Sequence, residues 1–397
     1  MDVPEVVVDW RSKGFWLPTT SMTGEDIAAA KPDLFGGLFT WPLLVLRREA
    51  AEANIATMAG YCRRHGWEFS PHAKTTMAPG LLARQMAAGA WGMTVATPNQ
   101  ALVLRRLGVR RVLIANEVLD PAPLRWLAAD EGEIYLQVDS LAGVAIASSA
   151  ADGIGTLRVL VEQGHDHGRT GIRSPDGVEE VARAVVAAPG LELAGLTAYE
   201  GQLHYQPAVD DFLDQVALAF GKIRSWVQGR PILSAGGSAW FDRVVERIAP
   251  ADATLVLRSG ASVTHDDGFY RERTPFLRVP QEGPLAAALD LWAQVISVPE
   301  PGLALAGMGK RDAPFDEGLP VPMEIRRADG SYAATTGLEV TKLNDHHTYL
   351  STGDLSVEPG DLIRFGISHP CTAFDKWRHI PVVDADRRVV EVLATYF

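Results

Sequence analysis

Short apolar runs separated by amphipathic stretches dominate the first two thirds of this chain. "WPLLVLRRE" reads as a strand, and the segment from Arg48 to His65 as a helix closed by Gly66. A regular alternation then sets in. Runs compatible with buried strands fall at 67–73, 91–97, 111–116, 133–139, 156–163, 191–199, 231–237 and 253–260. Helical periodicity lies between them, as in "GLLARQMAAGA", "NQALVLRRLG", "VEEVARAVVAAPG" and "VDDFLDQVALAFGKIRSWVQG". Eight strands alternating with helices predict a (β/α)8 TIM-like barrel, with a doubly wound open sheet as the alternative. After residue 285 the pattern changes to short strand-like runs between Pro, Gly, Asn and Asp, which predicts a mainly β C-terminal domain. The expected organisation is an N-terminal segment at 1–37, partly packed with the β domain, a barrel at 38–284 and a β domain at 285–397. The strand around 41–48 is a candidate to join the β domain.

Composition narrows the function classes. The chain has 397 residues, 47% of them hydrophobic, and a formal charge of −12, which disfavours nucleic acid as a bulk partner. No basic N-terminus leads into an apolar run, so no secretory signal or membrane span is expected. Only two cysteines occur, Cys62 and Cys371, too few for a disulfide framework; a cytoplasmic setting is expected.

Candidate chemistry gathers where predicted strands end, because barrel active sites form on the loops that follow the strands. Lys74 follows the first strand in "PHAKTT", beside His72, and a lysine there suits a Schiff base with a carbonyl compound. Arg169 sits in a glycine-rich loop, "VEQGHDHGRTG", whose His165, Asp166 and His167 read either as a metal tract or as an exposed polar turn. Tyr199 ends the sixth strand, followed by Glu200. The loops "SAGGSAW" and "LRSGASVTHDDG" follow strands seven and eight, the usual place for a barrel phosphate site. Gly236, Gly237 and Gly260 allow close backbone approach there, and Ser238 offers a hydroxyl. Near the C-terminus, His369 and Cys371 are ligand types suited to zinc, and on an extended strand both face one way. Two ligands do not close a zinc site, so a third is expected from His204, His346 or His347, or from water and substrate.

Taken together, "PHAKTT", "GAWGMTVAT", "ANE", "GRTG", "YEG", "SAGGS" and "SHPCTAFDKW" resemble the D-serine dehydratase and D-threonine aldolase family, within the alanine-racemase-like, fold-type III pyridoxal phosphate enzymes. The resemblance covers roughly residues 38–397 and implies a barrel, a β domain and a homodimer. By that likeness Lys74 matches the lysine that carries the cofactor, and Arg169 the arginine near its pyridine nitrogen. Tyr199 lies beside the cofactor, Gly236, Gly237 and Ser238 match its phosphate loop, and Gly260 falls in a second such loop. His369 and Cys371 resemble the zinc ligands of the eukaryotic-type dehydratases. Two departures stand near the expected pocket: Thr75, Thr76 and Met77 replace a family "KTHK" pattern, and Ser262 replaces a tyrosine.

The expectation that follows is a pyridoxal-phosphate- and zinc-dependent dehydratase of a D-β-hydroxy amino acid such as D-serine or D-threonine, releasing a 2-oxo acid and ammonia. Aldolase relatives commonly carry His-x-Asp as the metal pair, so Cys371 tilts the expectation toward dehydration. The alternative is a metal-dependent D-threonine-type aldolase giving glycine and an aldehyde. Beyond these stand a racemase, a non-catalytic pyridoxal-phosphate-binding protein and a purely structural barrel.

Overall fold

The computed structural model describes residues 1–249 and 252–397. The chain forms two compact units, each assembled from three stretches. One comprises Met1–Asp2, Met58–Lys74 and Gln85–Gly260; the other comprises Val3–Thr57, Thr75–Arg84 and Ala261–Phe397.

The first unit is the α/β one. Its eight-stranded parallel sheet contains Glu68–Phe69, Met93–Val95, Arg111–Glu117, Glu133–Val138, Leu157–Gln163, Leu191–Ala198, Ile232–Ala235 and Thr254–Leu257. Neighbours in sequence from the second strand onward are neighbours in the sheet, and the eighth pairs with the first through Val256–Glu68 and Leu257–Phe69. The remaining seam is joined by the amide of Thr94 donating to the Pro71 carbonyl (3.0 Å) and by a His72–Thr94 bridge. The sheet is therefore a curled, TIM-like barrel. The first strand is shorter than its apolar run predicts. Pro71 lacks an N–H for the ladder, so beyond Phe69 the chain keeps only isolated contacts.

Helices start where the sequence supplies caps. The side chains of Thr97, Asp120, Ser140 and Ser174 each accept an amide of the first turn, and proline occupies the first helical position after Thr97, Asp120 and Ser174. In Pro175–Ala187 the buried residues are Val178, Val181, Ala182 and Val185, a stripe at helical spacing. Inside, Leu113, Leu160, Ala194, Ile232 and Val256 form one apolar cluster. Gly195, at φ +147°, lets two strands meet, since a Cβ there would lie 1.9 Å from the Ile232 carbonyl oxygen.

The second unit is built on a ten-stranded sheet. Its longest strand, Leu289–Glu300, pairs antiparallel with Leu43–Arg47, Leu303–Ala306 and Leu362–Gly366. Leu43, Leu44, Val45 and Leu46 are all fully buried, which explains an unbroken apolar run where a half-exposed strand would alternate. His379–Val383 joins Leu43–Arg47 in parallel and Val389–Ala394 antiparallel. Trp292, Phe365, Phe374 and Trp377 fill the interior, and the Trp377 indole N–H donates to the Asp312 carbonyl at 2.9 Å.

Candidate active site

At the C-terminal edge of the barrel, Lys74 occupies a 3-10 turn, Ala73–Thr75, and is half-buried. The approach to it is fixed by Thr94, whose hydroxyl donates to the Ser70 carbonyl (2.8 Å) and lies 3.0 Å from the Ser70 hydroxyl. His72 has Nδ1 sealed from solvent with no hydrogen-bond partner among the described residues. Burial pushes its pKa well below the usual histidine value, and the cations Lys74, Arg258 and Arg169 push the same way. Its imidazole is therefore neutral at pH 7 and keeps an unused ring nitrogen.

The two loops after strands seven and eight lie on the same edge. Gly236 is at φ +94°, and a Cβ on Gly237 would meet the Tyr199 ring at 2.8 Å. The sequence assigns the amides of these glycines to a phosphate. In the structure both donate to Glu200, Gly237 at 2.6 Å and Gly236 at 3.2 Å. Ser238 and Ser259 place their hydroxyls 2.9 Å apart across the two loops, one residue before Gly260.

Two arginines differ in burial at this edge. Arg169 is exposed; its guanidinium lies 4.6 Å over the Tyr199 ring, and its amide donates to Gln202. Arg258 is buried, donates to the Ala198 carbonyl, and has an Nε without a partner. Burial lowers its pKa, opposed by the negative charges of Glu162 and Glu200. Arg258 lies within "LRSG", and nothing local in sequence shows that it is the arginine enclosed. The edge thus offers a lysine, a glycine-rich turn, a buried guanidinium with an unused N–H and a neutral imidazole. That donor set fits a phosphorylated aromatic aldehyde.

Three carboxylates, Glu117, Asp139 and Glu162, gather at neighbouring strand ends, with one oxygen from each within 4.8 Å of the others. Asp139 also accepts the Gly171 amide at 3.1 Å. Burial raises the Glu117 pKa well above the ordinary carboxylate range, and the adjacent Glu162 carboxylate raises it further. The tract His165–His167 is a surface turn in which the His165 ring meets the Asp166 carbonyl.

In the second unit His369 and Cys371 are not on an extended strand. His369 is extended, but Cys371 lies in a 3-10 turn, Pro370–Thr372, because Pro370 favours the first position of a turn and ends ladder pairing. The Cys371 sulfur is nonetheless close enough to act electrostatically on the imidazole. None of the three histidines considered as a third ligand is among the polar partners of His369. Asp316 is: its Oδ2 lies 2.7 Å from His369 Nδ1, while its Oδ1 accepts the Thr372 hydroxyl at 2.9 Å. His346 instead faces Asp312 at 3.6 Å and is largely exposed. Cys371 Sγ lies 3.8 Å from the hydroxyl of Thr75, the residue after Lys74. Burial alone would lower the His369 pKa; the neighbouring Cys371 sulfur and the hydrogen-bonded Asp316 carboxylate outweigh it and raise it to about 9. The Phe269 and Tyr270 rings flank the imidazole at 5.7 and 5.8 Å. With Nδ1 held by a carboxylate, ligation falls to Nε2, and imidazole plus thiolate suits a borderline divalent metal. Asp316 stands 53 positions from His369, and no sequence signal marks it.

Comparison with known proteins supplies the remaining findings. Residues 46–263, over half of the chain, match the family described as "Alanine racemase, N-terminal domain", and residues 288–383 match "Putative serine dehydratase domain". The chain is 32% identical to a 3-hydroxy-D-aspartate aldolase of Paracoccus denitrificans, over 87% of this chain and 89% of that one. It resembles the crystal structure of a D-threonine aldolase from Filomicrobium marinum with TM-score 0.78 and 25% identity, over 90% of this chain and 94% of that one. A D-threo-3-hydroxyaspartate dehydratase from Delftia sp. HT23 shares the fold, with TM-score 0.71 and 21% identity over 90% and 97% of the two chains.

Proposed function

The chain belongs to the alanine-racemase-like, fold-type III pyridoxal phosphate enzymes, a lyase of the D-amino-acid dehydratase and aldolase branch, and on that footing we propose that it is a metal-dependent aldolase of D-β-hydroxy amino acids. The observation that carries this reading is the 32% identity, over 87% of the chain, to a protein named for cleaving a D-amino acid of that kind. It reverses the order expected from Cys371, which had put dehydration first. A homodimeric, cytoplasmic enzyme completes the proposal.

In this reading Lys74 would bind the cofactor covalently and, once released by the incoming amine, would deliver a proton to Cα after Cβ has left. Pyridoxal phosphate, when bound, supplies an electron sink for the pair left on Cα. Arg258 and Arg169 neutralise charge around it without offering a carboxylate to a ring nitrogen. Tyr199 forms the wall beside the phosphate loop, in which Gly236, Gly237, Ser238 and Gly260 take part. His369 and Cys371 would hold a divalent metal, and such a metal would supply Lewis acidity toward the β-hydroxyl. Asp316 would keep His369 oriented through Nδ1, and the metal would take the place of the Nε2 proton. Transfer of the β-hydroxyl proton to a base and scission of Cα–Cβ would release the aldehyde, and protonation of Cα would complete glycine.

One observation favours a second reading. A thiolate at position 371 is a softer donor than a carboxylate and selects zinc, and zinc on the β-hydroxyl suits its departure as water. The two readings separate by product. The purified enzyme with pyridoxal phosphate, a divalent metal and D-threonine or a D-3-hydroxyaspartate is expected to give glycine and the corresponding aldehyde by mass. A 2-oxo acid with ammonium would replace the aldolase assignment by the dehydratase.

A further inference from the structure

The turn that sequence assigns to a phosphate is occupied from within the protein. Glu200 is wholly buried, and its two carboxylate oxygens accept the amides of Gly236 and Gly237. Burying a carboxylate is unfavourable by several kcal/mol unless donors converge on it. Here two backbone amides converge, and the positive charge of Arg258 acts on the same carboxylate. The loop is also moulded to the acid: a Cβ on Gly237 would come 3.3 Å from Glu200 Oε1, and Gly236 takes a left-handed conformation to turn its amide inward.

We propose that Glu200 is a positioning residue for the cofactor's phosphate, acting as an internal template for the loop at residues 236–239. It uses the first two amides of the loop and leaves the phosphate to the donors that follow, among them the Ser238 and Ser259 hydroxyls and the Gly260 segment. Phosphate affinity then depends on Glu200, while the reactivity of Lys74 toward an aldehyde does not. The inference rests on the pyridoxal phosphate reading above.

The experiment uses the full-length protein as wild type, K74A, E200A and E200Q. Each is titrated with pyridoxal phosphate and with pyridoxal, which keeps the aldehyde and lacks the phosphate, and the visible Schiff-base absorbance is followed. In E200A the apparent Kd for pyridoxal phosphate is expected to rise at least about tenfold, equivalent to about 1.4 kcal/mol, with pyridoxal within about twofold of wild type. E200Q keeps one acceptor oxygen and is expected to fall between them, about threefold weaker; being isosteric, it reports even where E200A does not fold. Equal weakening of both aldehydes, or none in either variant, overturns the template role. Absence in the wild type of a Schiff-base band that K74A lacks overturns the cofactor reading itself.

Discussion

Replacing Asp316 by alanine tests how the proposed metal pair, His369 and Cys371, is held. The carboxylate accepts from His369 Nδ1 at 2.7 Å, so its removal leaves the imidazole without the contact that sets its orientation and tautomer. A hydrogen bond to a charged group contributes about 1.5–3 kcal/mol when well buried. His369 is 13% exposed but Asp316 is 42% exposed, so solvent screening places the effect at the low end, about 1.5–2 kcal/mol. That corresponds to a loss of about 10–30-fold in metal affinity, in the lower range for outer-sphere partners of a metal site. The assay strips the protein with a chelator and titrates zinc back against a chromophoric competitor. It then repeats turnover at saturating metal, where most of the activity of D316A is expected to return. D316N, which keeps the acceptor but not the charge, should fall between. Zinc affinity of D316A within twofold of wild type would refute the positioning of His369 by Asp316.

K74A is expected to lose the visible Schiff-base band with pyridoxal phosphate and to lower turnover by about 10²–10⁴-fold, measured as product per enzyme; retention of either would remove Lys74 from its role. C371D exchanges a soft ligand for a hard one, so its metal preference should move from zinc toward manganese or magnesium in an activity-against-metal series. Glu117 has its folded pKa raised, chiefly by burial. Above its unfolded value, near 4.5, the unfolded chain releases a proton that the folded one keeps, so this group's contribution to stability falls as pH rises. Urea midpoints of cofactor-free E117Q should therefore gain on wild type between pH 5 and pH 8, and a constant difference would contradict the protonated pair. Trp292 is 1% exposed and packs edge-on against Phe35 at 5.1 Å, so W292A should destabilise the protein by about 3–5 kcal/mol by chemical denaturation.

The order and type of the barrel strands were legible because each buried strand must be an apolar run of limited length, and each helix must show a stripe and a cap. Thr97, Asp120 and Ser174, each followed by proline, write helix starts into the chain directly. The first strand was overestimated because Pro71 interrupts the ladder while the apolar run continues past it.

Site residues divide by the same logic. Lys74, the glycine loops and the His369–Cys371 pair are local, set by a strand end or by a separation of two residues, and sequence alone marks them. The local pattern also placed Cys371 close to His369, although the two meet across a turn and not along a strand. What lay beyond the sequence is every pairing between distant segments. Asp316 reaches His369, Glu200 takes the amides of Gly236 and Gly237, and Glu117, Asp139 and Glu162 gather from three separate strand ends. Burial decides which of two arginines is enclosed, leaving Arg169 at the surface and Arg258 within. Residue type and spacing determined which chemistry this chain can host. Only the tertiary structure decided which donors are already in use, because a hydrogen bond depends on closeness in space and on the exclusion of water.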